Sequence, residues 1–248
     1  MLRRGGLAYE RGGTDGPLLV LIHGLGATAG VWSSMLAEPH GRWIAPDLPG
    51  HGGSDHGGGY SVEALAAAIG GLIEAEREGQ EVTILGHSLG GLVAIALAGS
   101  GLPLRAAYGL GIKVDWSDEE LARFAGLAAR PPKLFDGEAE ALAQHRRNCG
   151  LGEVALDSPL LARGAAMQGG QWRAAMDMAA FAVERPRMAE LVDAARCPVR
   201  LACGEGDAMI SAERLRDFDA KAFAIPGAGH NAMVDAPGAV WDWLQATP

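Results

Sequence analysis

A chain of 248 residues in which apolar side chains make up 48% and charged ones 21% can fill a sizeable core, which excludes wholesale disorder. Its 21 basic against 30 acidic residues give a net charge of -9, which repels phosphate backbones and anionic membrane surfaces alike and argues against nucleic-acid or membrane partners. The three cysteines, Cys149, Cys197 and Cys203, are odd in number and lack paired metal spacing, so neither a disulfide framework nor a zinc site is expected.

The length suits one α/β domain with an excursion. The stretch "MLRRGGLAYERGG" has the arginine pair Arg3 and Arg4 with no apolar segment behind it, and the run from Leu18 to Ile22 is far too short to span a bilayer. A cytoplasmic protein is the expectation, as a monomer or a homodimer. Along the chain, short apolar runs bounded by glycine read as buried strands: "LLVLIHG" (18–24), "RWIAPDLPG" (42–50), "EVTILGH" (81–87), "LRAAYGLG" (104–111), "VRLACGEGD" (199–207) and "KAFAIPGAGH" (221–230). Alanine- and leucine-rich stretches between them read as helices: Ser61 to Glu78, Leu89 to Ala98, Ser211 to Phe218 and Pro237 to Gln245. Strand alternating with helix predicts a mostly parallel sheet.

The rhythm breaks between Asp115 and Arg196, where no buried-strand run occurs and helix starts appear instead. "SDEEL" offers Ser117 as an N-cap with Glu120 three residues on, and "DSPLL" puts Pro159 in a first helical turn. The expectation is a core of 1–114 and 197–248 carrying a helical cap of 115–196. The glycine-rich "GHGGSDHGGG" (50–59) reads as a loop.

"LGHSLGG" (85–91) fences Ser88 with Gly86, Gly90 and Gly91 directly after an apolar run. A hydroxyl is a poor nucleophile and needs exposure, a base and oxyanion donors nearby; a sharp strand-to-helix turn supplies that setting. Such a turn forces the residues two before and two after the serine together, leaving no room for a Cβ, which accounts for Gly86 and Gly90. The bland alternative is a glycine-rich turn whose serine caps a helix. Three further features favour chemistry. "HGLG" (23–26) follows the first buried strand and can turn the N–H of Leu25 toward the serine, forming an oxyanion hole with the N–H of Leu89. "GAGHN" (227–231) puts His230, the natural base among seven histidines, just past the last strand. "CGEGDAM" supplies Asp207 as the acid that fixes the histidine tautomer, with Asp115 as the alternative and Glu205 in the same loop.

Of the other histidines, His87 should point away from the site and His23 should organise the oxyanion loop, while His40, His51, His56 and His145 read as solvated, with His51 placed near the pocket mouth by "DLPG". Trp116, Trp172 and Met209, together with Met176 and Met178, are candidates for an apolar substrate wall, although such residues more often pack cap helices together. Cys203 reads as a core residue, and "EAEREG" and "QHRRN" as solvated helix faces.

"HGLG", "DLPGHGGSD", "GHSLGG", "GEGD" and "GAGHN", in that order, resemble the α/β-hydrolase superfamily from Leu18 almost to the carboxyl end, most weakly over the insertion. The resemblance implies an α/β fold with a mainly parallel eight-stranded sheet flanked by helices, a cap over the pocket, and a triad in the order Ser88, Asp207, His230. Relatives that dehalogenate or open epoxides use an aspartate at the elbow and a pair of lid tyrosines; Tyr9, Tyr60 and Tyr108 all fall outside the cap, so those activities are not expected. The expected chemistry is hydrolysis of a small, fairly apolar carboxylic ester or lactone through an acyl-enzyme. Cofactors and metals are not expected, since no glycine-rich dinucleotide or phosphate fingerprint sits at a strand end. The alternatives are a carbon-carbon bond hydrolase or lyase-like relative, and a non-catalytic ligand receptor on the same scaffold.

Overall fold

The computed structural model describes residues 1–37 and 41–246, so His40 lies outside the described residues. In chain order, β1 (Leu2–Arg4), β2 (Leu7–Gly12), β3 (Leu18–Ile22) and β4 (Trp43–Pro46) precede α1 (Val62–Glu76). The first helix begins where the Ser61 hydroxyl accepts the Ala64 N–H. Then come β5 (Val82–His87), α2 (Leu89–Ala98) and β6 (Leu104–Leu110). The insertion holds α3 (Asp118–Ala128), α4 (Glu138–Asn148), β7 (Ala165–Gln168), β8 (Gln171–Ala174) and α5 (Met188–Asp193). The chain closes with β9 (Val199–Gly204), α6 (Ala212–Leu215), β10 (Phe223–Ile225), α7 (Ala232–Asp235) and α8 (Pro237–Ala246).

Eight strands form one sheet in the order β1-β2-β4-β3-β5-β6-β9-β10. All pairings from β4 to β10 are parallel; β1 with β2 and β2 with β4 are antiparallel. Alternation sends Leu21, Leu85 and Tyr108 into the core on one face and Val20, Ile84 and Ala107 into the core on the other. Burying each such Leu or Ile side chain contributes about 1.5–3 kcal/mol, so the central strands are anchored on both sides. The two antiparallel strands have no counterpart among the apolar runs of the sequence. They are short, and β1 is exposed throughout.

The insertion over 115–196, expected as a helical cap, is not wholly helical. β7 and β8 form an antiparallel hairpin that turns on Gly169 and Gly170, both at positive φ (59° and 87°), the conformation a two-residue hairpin loop demands. Its four-residue strands carry no buried residue, which is why no buried-strand run marked them. The predicted capping box is present: Ser117 Oγ accepts the Glu120 N–H, and the Glu120 carboxylate accepts the Ser117 N–H. At the end of the insertion, Met188 of α5 packs with Val199 and Leu201 in the core layer. The helix expected over 211–218 has its α-helical turn only at Ala212–Leu215.

Candidate active site

The elbow is built by close backbone approach. A Cβ on Gly86 would lie 2.0 Å from the carbonyl oxygen of Gly90, and one on Gly90 would lie 2.2 Å from that of Ile22. Only glycine fits at either place. Between them Ser88 takes φ 51° and ψ -115°, a strained backbone for a residue with a side chain. It is held by its N–H donating to Leu110 O at 2.8 Å and by its carbonyl accepting the Gly91 N–H at 3.0 Å. Ser88 thereby precedes α2, whose first residue is Leu89.

His230 and Asp207 come together from separate loops. His230 Nδ1 lies 2.9 Å from Asp207 Oδ2, and since a carboxylate can only accept, the proton sits on Nδ1 and leaves Nε2 bare. The Asp207 side chain is fully buried, and its other oxygen accepts the Met209 N–H at 2.8 Å. The alternative acids are committed elsewhere. Asp115 is gripped by Arg214 through two bonds of 2.8 and 2.9 Å, which hold its carboxyl below the ordinary value, and Glu205 accepts from Gly227 N.

Ser88, Leu25, Leu89 and His230 all line one cavity of about 260 Å³. Trp116 and Met209 line it too, as expected. Trp172 does not: on β8, it exchanges two backbone hydrogen bonds with Phe135 (2.7 and 2.8 Å) and belongs to the cap's own packing. Met176 and Met178 also lie away from this cavity, on a separate surface depression. In their place Phe124 and Phe181 join Trp116 in an edge-to-face row, with centroids 5.1 and 5.9 Å apart. Lys113, Arg147 and Glu184 bring charge to the wall; the Lys113 ammonium is matched by Glu120 at 2.8 Å. Neither phenylalanine has a sequence motif that marks it as a pocket residue.

The loops around the cavity rest on buried imidazoles. His23 donates Nδ1–H to Gly24 O at 2.8 Å and accepts the Leu48 N–H. His51 and His145, read from the sequence as solvated, are buried instead. His51 Nε2 accepts the Gly26 N–H at 3.1 Å, and His145 lies 3.4 Å from Cys149 Sγ, whose thiol donates to Gly26 O. A solvated reading fails because these loops need acceptors and donors that water cannot reach. Burial depresses all three histidines, His23 to about 3 and the other two to about 4, so they are neutral at pH 7. Glu76, expected on a solvated face, is likewise buried and accepts the Tyr9 hydroxyl at 2.8 Å.

Two contacts were invisible in the sequence. Asn231 Nδ2 donates to the carbonyls of Cys149 and Gly150, both at 3.1 Å, tying the histidine loop to the end of α4. His87, expected to point away, turns toward the site: its Nε2 is 2.9 Å from the carbonyl oxygen of His230. Among the described residues no group of His, Cys, Asp and Glu is placed to hold a metal ion, and no helix is long and apolar enough to cross a membrane.

The chain belongs to the alpha/beta hydrolase family, whose profile matches residues 19–243. A 2-succinyl-6-hydroxy-2,4-cyclohexadiene-1-carboxylate synthase of Salmonella agona is 30% identical over 253 aligned positions, covering 92% of each chain. An uncharacterized protein of Mycobacterium bovis is 44% identical over 87 residues, but that match spans 34% of this chain and only 25% of the relative's length. Among solved structures, an esterase from Mycobacterium tuberculosis superposes with a TM-score of 0.80 at 21% identity, over 99% of this chain and 88% of the other.

Proposed function

We propose that the protein is a serine hydrolase that cleaves small, fairly apolar carboxylic esters or lactones through an acyl-enzyme, with Ser88, His230 and Asp207 as its catalytic triad. The observation that carries this reading is the 2.9 Å bond from His230 Nδ1 to buried Asp207, at a cavity that also receives Ser88 from a strained elbow. With its proton on Nδ1, the ring presents Nε2 as the base for the serine hydroxyl. The alkoxide attacks the carbonyl carbon, and the N–H groups of Leu25 and Leu89 receive the oxyanion. Leu89 is the first residue of α2, so its N–H has no acceptor within the helix. The imidazolium then protonates the departing alcohol, and water repeats the sequence on the acyl-enzyme. The row of Trp116, Phe124 and Phe181 gives an apolar acyl or alcohol part a wall to lie on.

The test is labelling by a fluorophosphonate and turnover of a series of p-nitrophenyl esters. We expect modification at Ser88 and loss of both signals in Ser88→Ala; labelling elsewhere, or none, refutes the reading. The synthase relative favours a second reading, in which Ser88 and His230 move protons in a carbon-carbon bond reaction without an acyl-enzyme. Turnover of such a substrate that is lost in Ser88→Ala and in His230→Ala, with no acyl adduct by mass spectrometry in the parent, selects the second.

A further inference from the structure

His87 and Ser88 are consecutive at the tip of the elbow, and the two residues serve different loops. A carbonyl oxygen can only accept, so at 2.9 Å the proton between His87 and His230 O belongs to His87 Nε2. That leaves His87 Nδ1 a bare lone pair. It is buried without a hydrogen-bond partner and faces Gly24, where a Cβ would lie 2.9 Å away. Leaving such an atom unpaired costs free energy, so a leucine of similar size would suit this spot better on packing grounds alone. The two rings lie against each other with centroids 4.7 Å apart.

The bond spans 143 positions of sequence and joins the backbone of the base to the side chain of the residue beside the nucleophile. The base is thus held at two points. Asp207 fixes the ring at Nδ1, and His87 fixes the main chain from which the ring projects. Burial and the neighbouring His230 keep the His87 ring far below its ordinary titration range, so the ring is neutral at pH 7 and keeps a single N–H, the one on Nε2.

We propose that His87 is a positioning residue: by donating Nε2–H to the carbonyl of His230 it sets the distance and angle between the base and Ser88. This rests on the reading of Ser88 and His230 given above. Glutamine places an N–H at nearly the site of histidine Nε2, whereas leucine fills the space without a donor, so the pair separates the hydrogen bond from the packing. His87→Leu is expected to lower kcat on a p-nitrophenyl ester by roughly 10- to 100-fold, with KM within about twofold, the scale of effect that a misplaced catalytic group produces. His87→Gln is expected to recover to within about threefold of the parent kcat. Hydrogen-deuterium exchange of a peptide covering residues 226–234 supplies a readout independent of turnover: faster exchange in His87→Leu, near-parental exchange in His87→Gln. A His87→Leu protein that keeps parental kcat, or a His87→Gln protein as slow as His87→Leu, overturns the proposal. If the parent neither labels nor turns over esters, the hydrolase reading fails by itself; the exchange comparison then decides whether His87 braces the loop.

Discussion

The elbow and the insertion over 115–196, which we propose as a cap, are held in place by different physics. Around Ser88 the constraint is backbone against backbone, with contact distances that no side chain can satisfy. The cap instead sits on the core through polar keys. Arg163 of the cap binds buried Asp47 through Nε at 2.8 Å and Nη2 at 3.1 Å, and the Tyr60 hydroxyl donates to Asp177 Oδ2 at 2.5 Å. Main-chain bonds from Gly52 N to Ala175 O and from Asp177 N to Gly50 O, both 2.7 Å, add a strip of pairing. Steric constraint leaves glycine at fixed offsets. A key that joins two positions more than a hundred residues apart leaves no local trace.

The contrast is tested most sharply at the elbow. Gly86→Ala puts a methyl carbon 2.0 Å from a carbonyl oxygen that has no flexible end to swing aside, so strand β5 or helix α2 must move. We expect several kcal/mol of destabilisation, about 4 or more, read as a fall in the urea midpoint, together with loss of fluorophosphonate labelling. For the cap the corresponding break is Arg163→Ala. Asp47 is wholly buried; burial alone would raise its carboxyl, yet the hydrogen bonds and charge of Arg163 bring it below the ordinary value. Removing the guanidinium strands a buried carboxylate, at a cost of about 3–5 kcal/mol. Limited proteolysis should show the cap loosening first, and an unchanged urea midpoint would show that the key does not hold it.

The same division explains what could be read in the chain beforehand. The six strands, the elbow glycines and the loops that bring Asp207 to His230 were legible because each follows from local pattern: an apolar run, a glycine spacing, a loop at a strand end. The antiparallel β1 and β2 were not: β1 is three exposed residues, and β2 buries only Leu7, Ala8 and Tyr9, too short a run to stand out as a hydrophobic signal. The turn at "HGLG" was legible, but its support by His51 and His145 was not, because nothing in a histidine's neighbours tells whether folding will take it out of water. Trp172 shows the reverse error. Aromatic character in the insertion pointed to the pocket, yet only register decides which aromatic faces it, and Phe124 and Phe181 hold the places assigned to Trp172.

Buried neutral histidines give the next prediction. Their folded-state pKa values are depressed, so as pH falls below about 6.5 the unfolded chain takes up protons that the folded chain refuses. Stability present at pH 7 is therefore lost progressively on acidification, down to about pH 4 for His51 and His145 and about 3 for His23. Each site contributes up to about 1.4 kcal/mol per pH unit over its window. His145 is the one of these three that belongs to the cap, so His145→Gln should reduce the slope of unfolding free energy against pH by up to that amount between pH 6 and 5. An unchanged slope would mean that the cap is already detached when the core unfolds.

The smallest effect is the most discriminating, because it repeats the Gly→Ala change with the opposite sign. Gly126 lies inside α3, is exposed, and a Cβ there would meet nothing within 4 Å. Alanine loses less backbone entropy on entering a helix, so Gly126→Ala should stabilise α3 by about 1 kcal/mol. Whether that gain reaches the whole protein depends on how the cap is coupled. α3 has no buried residue, so its packing onto the rest of the molecule is thin, and it can open locally at lower cost than global unfolding. If it does, amide exchange across 118–128 slows by roughly fivefold, the equivalent of that 1 kcal/mol, while the global urea midpoint stays put. If α3 unfolds only with the core, the midpoint rises as well. Esterase activity that falls in this variant would mean that α3 must loosen during each turnover, which would make the cap a moving part and the elbow the fixed one.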